Sequence, residues 1–226
     1  MKVSIVIPAY NEKNFILKIL EKVDQVNFSG LEKEVLIIDD YSTDGTREIL
    51  KTVTSAKVIF HSKNLGKGAA LATGFSHCSG DIIAIQDADL EYNPHDLVKL
   101  VAIVASGQVP IAYGSRMIGN NPTGHYAYYA GNLVISWLAR LLYGVKLTDI
   151  ETCYKVFKKE VLSAMTLSEP GFGFEIQFTV NALKNHFTIK ELPITYSPRK
   201  FNEGKKISWR DGLAAIWLLL KYRFKQ

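Results

Sequence analysis

Apolar residues in this chain follow two alternating rhythms. Unbroken runs, "VSIVIP" (3–8), "EVLIIDD" (34–40), "AKVIFH" (56–61), "DIIAIQDAD" (81–89) and "IAYGSR" (111–116), have the length and β-branched character of strands buried on both faces. Between them the spacing becomes helical. Phe15, Ile16, Ile19, Leu20 and Val23 share one face after the first run. "STDGTREILKTV" reads as a capped helix, "NLGKGAALATGFSHC" as a helix opened by glycine, and "NPHDLVKLVAIVAS" as a helix with Pro94 in its first turn. Strands alternating with helices predict a doubly wound α/β fold on a mostly parallel sheet.

Beyond residue 116 the rhythm loosens. Helices are expected at 130–143, 159–165, 173–186 and 208–224, with a strand at 188–196. The stretch "MIGNNPTGHY" (117–126) is dense in Gly, Asn and Pro and reads as a loop. No internal repeat or low-complexity segment interrupts the chain. The expectation is one domain over 1–226, with halves at 1–116 and 117–226.

The strands end where charge begins. Glu12 follows the first strand, Asp39, Asp40 and Asp44 the second, and Asp87, Asp89 and Glu91 the fourth. In a doubly wound sheet these ends form one edge, where ligands bind. Carboxylates gathered there repel one another unless a cation sits among them. Mg2+ or Mn2+ is held through one or two carboxylates plus substrate phosphates, so the pattern points to a diphosphate-bearing substrate. Local roles compete with this reading. Asp39 and Asp40 also suit a turn or an N-cap before "STDG", and Asp44 with Gly45 makes a turn unaided.

Composition narrows the picture further. With 226 residues and 47% hydrophobic content the chain can build one sizeable core. Cys78 and Cys153 have no metal-ligand spacing and read as reduced thiols, which fits the cytoplasm. The longest apolar run of the tail, "LAAIWLLL" (213–220), is far short of the roughly 20 residues a spanning helix needs. Net charge is +5, yet residues 199–226 alone carry eight Lys or Arg against Glu203 and Asp211. Trp209, Leu213, Ile216, Trp217, Leu220 and Phe224 form a helical stripe in that tail, beside Arg210, Lys221, Arg223 and Lys225. A basic amphipathic helix of this kind suits peripheral contact with an anionic membrane or a phosphate-bearing ligand, and it suits capping of the core as well. No segment calls for nucleic acid as a partner.

"VSIVIPAYNE", "IIDDYSTDGT", "NLGKGAA", "QDADLEY" and "YGSR" stand in the order and spacing of family 2 glycosyltransferases, and the chain resembles the branch of dolichyl-phosphate mannose and glucose synthases. That resemblance implies a GT-A fold, a nucleotide-diphosphate sugar donor, Mg2+ or Mn2+, and inversion at the anomeric carbon. It makes 1–116 the donor half and 117–226 the acceptor half, with a basic tail at 199–226. It assigns Pro8, Tyr10, Glu12, Ile37 and Asp39 to the nucleoside, and Asp87 and Ala88 to ribose and diphosphate. Asp89 and Glu91 fall to the metal. Arg116 falls to the donor phosphates, as do Arg199 and Lys206 through "PRKFNEGKKI", with Lys205 a near alternative.

Leaving-group charge held by a metal and Arg116 needs no acid, and a lipid phosphate acceptor needs no base. A hydroxyl acceptor needs a carboxylate, for which Asp149, Glu151 and Glu175 are candidates. Each also suits a structural role. The chain departs from the polyprenyl-phosphate mannosyl enzymes at Glu175, where they resemble lysine, and at Glu91, where they resemble glutamine. Those departures widen the expectation to UDP-linked or GDP-linked hexoses, and to hydroxyls of a glycolipid or polysaccharide as acceptors. A sugar nucleotidyltransferase is disfavoured because "PAYNEKN" stands where a glycine-rich, arginine-containing loop belongs. A dinucleotide binder is disfavoured because no G-x-G-x-x-G follows the first strand.

Overall fold

The computed structural model describes residues 1–119, 121–122, 126–199 and 209–224, without the side chains of Ala127, Tyr128 and Trp209. Lys205, Lys206 and Lys225 therefore lie outside the described residues, as does most of the expected 117–126 loop's tip.

Among the described residues, seven strands form the sheet: β1 (Lys2–Ala9), β2 (Glu32–Asp39), β3 (Lys57–Phe60), β4 (Ile82–Ile85), β5 (Ile111–Ser115), β6 (Lys155–Lys158) and β7 (Ile189–Pro193). Their order is β3-β2-β1-β4-β6-β5-β7. Every pairing is parallel except those of β6, which runs antiparallel to both β4 and β5. In β1 the alternation of the pleat sends Val3, Ile5 and Ile7 to one face and Val6 to the other. The first face is covered by α1 (Ile16–Asp24) and α4 (Leu97–Ala105), the second by α3 (Lys67–His77) and α6 (Phe174–Lys184). Both faces being covered explains the continuous apolar runs. A third cluster joins α6 to α5 (Tyr126–Tyr143) and α7 (Trp209–Phe224) through Ile135, Ile176, Val180, Leu218 and Leu219.

Three sequence expectations change. The helix foreseen in "STDGTREILKTV" shrinks to α2 (Thr46–Leu50), and the one at 159–165 is a 3-10 turn, Lys159–Ala164. β6 was not foreseen at all. It is four residues long and opens with Lys155, which is fully buried. Burying that ammonium is sustained by Glu175, by the carbonyls of Ile150 and Thr152, and by the Tyr113 ring 4.6 Å away. No periodicity announces such a strand.

The two halves are locked together at the start of α3. A Cβ on Gly66 or Gly68 would collide with the carbonyl oxygens of Pro170 and Glu169. The Ala69 amide donates to the Pro170 carbonyl at 3.1 Å. Glycine here serves close backbone approach, which brings the 169–172 loop over the sheet edge.

Candidate active site at the carboxyl edge of the sheet

The loops after β2, β1, β4 and β5 and the segment before β6 enclose a cleft of about 340 Å³. Strand order fixes the sequence of groups along it. Asp40 and Asn64 come from the β2 side, Pro8, Tyr10 and Glu12 from β1, Asp87, Ala88, Asp89 and Glu91 from β4. Glu151 and Cys153 come from before β6, and Arg116 from β5. Arg199 closes it from above. Ile37 and Asp39 are fully buried and do not contribute to its wall.

The acids after β2 have partners of their own. Asp40 accepts from the Leu65 amide at 2.8 Å and the Gly66 amide at 2.7 Å, and pairs with His61 Nδ1 at 2.8 Å. It fastens the glycine turn to the sheet. Asp44 accepts from the Thr46 hydroxyl at 2.6 Å and the Thr46 amide at 2.9 Å. Burial would raise its pKa, but those bonds outweigh it and hold the carboxyl below its ordinary value. Asp39 accepts from Arg47 at 3.2 Å, whose guanidinium lies 4.9 Å over the Phe60 ring. The expectation that a foreign cation must hold these acids apart is therefore corrected: backbone amides and side chains of the chain do so.

The acids after β4 depend on cations. Asp87 meets the Lys67 ammonium at 2.8 Å, and Lys67 also reaches Glu175 at 3.4 Å and the Cys153 sulfur at 3.0 Å. Burial alone would raise the Asp87 pKa, yet Lys67 beside it holds it below the usual range. Asp89 fares differently. Burial, with Asp87 and Glu91 close by, pushes it up to about 7 despite Arg199. The Arg199 guanidinium spans Glu12 at 3.0 Å and Asp89 at 3.1 Å, and its backbone amide donates to Glu91 at 2.9 Å. Arginine thus sits among the carboxylates that sequence reasoning gave to a metal.

Among the described residues, no three His, Cys, Asp or Glu side chains are grouped to hold a metal by themselves. The donor set nonetheless fits Mg2+ or Mn2+, because Asp89 with Asp87 or Glu91 offers the one or two hard carboxylates that such ions combine with phosphate oxygens and water.

At the far end, Arg116 is clamped by Asp149 through Nε at 2.7 Å and Nη2 at 2.7 Å, a bidentate pair, and its amide donates to the same carboxylate at 2.9 Å. Asp149 is fully buried, paired with Arg116, and does not itself line the cleft. Burial would lower the arginine's pKa, but Asp149 holds it well above the ordinary value. Glu151 does line the cleft, and burial raises its pKa to about 7 against the pull of Arg116. Glu175 sits beneath the floor, paired with Lys155 and Lys67. Sequence reasoning missed Lys67. Its signal was available: the first residue of a helix that follows β3 must start at the carboxyl edge of the sheet.

A seven-stranded sheet of this order with an acid-rimmed cleft at one edge is the GT-A architecture. The model of glycosyl transferase family 2 matches residues 4–166, and the chain belongs to that family. It is 29% identical over 216 residues to the dolichol-phosphate mannosyltransferase of Pyrococcus furiosus, covering 91% of this chain and 59% of that one. It is 30% identical to the undecaprenyl-phosphate mannosyltransferase of Micrococcus luteus, over 99% of both chains. Among solved structures, glucosyl-3-phosphoglycerate synthase from Mycobacterium tuberculosis, in complex with Mn2+, UDP and glucosyl-3-phosphoglycerate, superposes with a TM-score of 0.75 at 22% identity, over 98% of this chain and 79% of that chain.

Proposed function

We propose that this chain is an inverting hexosyltransferase that moves a sugar from a UDP-linked or GDP-linked donor to a polyprenyl phosphate or a similar lipid acceptor. The observation that carries the reading is the gathering of Asp87, Asp89, Glu91, Arg116 and Arg199 on one cleft at the edge where this fold class binds ligands. Family membership and the lipid-phosphate mannosyltransferases among the relatives support it.

Residues 1–116 take the donor and 117–226 the acceptor. Pro8 and Tyr10 flank the nucleoside, with Asp39 behind them in the sheet. A divalent cation on Asp89 with Asp87 or Glu91 would supply Lewis-acid stabilisation of the leaving diphosphate. Arg116, oriented by Asp149, presents fixed positive charge to the donor phosphates. Arg199 is the second phosphate contact, joined by Lys206 from outside the described residues. Lys67 holds Asp87 in place. A lipid phosphate is already an anion, so no residue need remove a proton from it. A second reading, transfer to a hydroxyl, is favoured by Glu151, whose pKa near 7 and place on the cleft suit a general base.

The acceptor half also offers a lipid-facing surface. Ala215, Leu218 and Leu219 of α7 turn inward, while Leu213, Trp217 and Phe224 of α7 and Leu133, Trp137 and Leu141 of the neighbouring α5 stand exposed. The tail helix therefore caps the core with one face and leaves the other apolar, edged by Arg140, Lys221 and Arg223. Among the described residues no helix is long and apolar enough to cross a membrane. Peripheral docking on the cytoplasmic face is the arrangement this surface supports. Trp137→Glu with Trp217→Glu abolishes pelleting with anionic liposomes; undiminished pelleting contradicts it.

The test of function is product analysis with UDP-hexoses and GDP-mannose against polyprenyl phosphate and against membrane glycolipid, with and without Mn2+. Metal-dependent formation of a polyprenyl-phosphate hexose is expected. Product on glycolipid hydroxyls alone establishes the second reading, and no sugar transfer from any donor refutes both.

A further inference from the structure

Tyr92 closes the motif "DADLEY". It is 3% exposed and lines the cleft. Its ring is stacked on Tyr154, with centroids 4.7 Å apart, and tilted against Tyr196 at 5.7 Å; its backbone bridges to Tyr196 as well. The orientation of this phenol is therefore fixed by packing.

Its neighbour's hydroxyl is satisfied, since Tyr154 donates to Gln86 Oε1 at 2.5 Å. The Tyr92 hydroxyl is buried and, among the described residues, has no hydrogen-bond partner. Nearly all buried polar groups are paired, and an unpaired one weakens the fold. Phenylalanine would fill the same space without that cost. None of the described residues takes up this hydroxyl, which leaves it available to a bound molecule.

Chemistry and position indicate what that is. After burial, the groups that act most strongly on Tyr92 are Arg116, Cys153, Asp149 and Asp87. Arg116 only donates, so it can face the phenol oxygen but cannot take its proton. Asp149 is spent on Arg116, and Asp87 on Lys67. The O–H therefore lacks an acceptor oxygen. On the proposed reading the nucleoside lies at the β2 and β1 end of the cleft and the diphosphate at β4; in the strand order Tyr92, leaning on Tyr154 just before β6, stands one step further along. In a nucleotide sugar, the group one step beyond the diphosphate is the sugar.

We infer that the Tyr92 hydroxyl donates a hydrogen bond to an oxygen of the transferred sugar, which makes Tyr92 a specificity-determining residue of the donor site. The inference rests on the glycosyl-transfer reading above. A site that hydrogen-bonds a substrate oxygen discriminates far better than apolar contact does.

Tyr92→Phe separates this from a structural role. Melting of the free protein and calorimetric Kd values, with Mn2+, are compared for UDP against UDP-glucose and UDP-N-acetylglucosamine, and for GDP against GDP-mannose. The variant melts at the wild-type temperature or above it and binds the bare diphosphate unchanged. The sugar nucleotide that wild type prefers binds about tenfold more weakly. Sugar-nucleotide affinity within twofold of wild type overturns the inference while leaving the proposed function standing, and so does a lowered melting temperature, which would reveal a structural partner. Wild type binding none of the nucleotides overturns both.

Discussion

The acids after β2 and those after β4 look alike in sequence and differ in how their charge is met. Asp40 and Asp44 are saturated by amides, hydroxyls and His61. Asp87 and Asp89 rely on Lys67 and Arg199, and Asp89 keeps a raised proton affinity. The first group is met by amides and hydroxyls and holds the loops; the second is met by the side-chain cations Lys67 and Arg199 on the wall of the cleft. Local donor supply, rather than the presence of carboxylates, separates a brace from a binding site.

Breaking this comparison at the β4 end has the largest expected effect. Asp89→Ala lowers kcat/KM by about a thousandfold or more, without lowering the melting temperature, because a buried repulsion goes with it. At the β2 end the outcome inverts. Asp40→Ala leaves two amides and His61 unmet and costs about 3 kcal/mol in denaturant unfolding. Activity then falls only as the folded fraction falls.

Arg199→Gln sharpens the picture at the point where the chain supplies its own cation. Mn2+ alone binds the variant up to about tenfold more tightly by calorimetry, since Glu12, Asp89 and Glu91 lose their guanidinium. Affinity for the nucleotide diphosphate falls.

Glu151→Gln has the smallest effect, within about threefold of wild-type kcat on a lipid phosphate, since no base is needed. Its stability signature is directional. Glu151 has a folded pKa of about 7 against an ordinary 4.5, so the folded state holds the proton longer than the unfolded one. Stability from this group therefore falls as pH rises from 4.5 to 7, and Glu151→Gln removes that fall, by no more than about 3 kcal/mol.

Much of this architecture is legible in the sequence alone. The β1 to β5 rhythm, the parallel sheet and the convergence of Asp87, Asp89, Glu91 and Arg116 stem from apolar runs that each end in charge. The features that escaped are tertiary. β6 begins at a buried lysine whose partners lie on α6 and the Tyr113 ring, so no local pattern marks it. Asp149 read as a base because its sequence neighbours are silent about Arg116, 33 positions away. The sequence leaves Asp40 open between an edge acid and a turn or N-cap, because its three donors come from 61–66. Arg199 was expected on phosphates, and its pairing with Glu12 and Asp89 depends on a loop that only the fold brings across the cleft.

On the proposed function, the β4 acids, unlike the β2 acids, bind a divalent ion together with a diphosphate. Thermal shift with Mn2+ and UDP or GDP, on wild type, Asp89→Ala and Asp44→Ala, tests it most directly. Wild type and Asp44→Ala should gain stability only when metal and nucleotide are both present, and Asp89→Ala should gain none. An undiminished gain in Asp89→Ala would contradict the account.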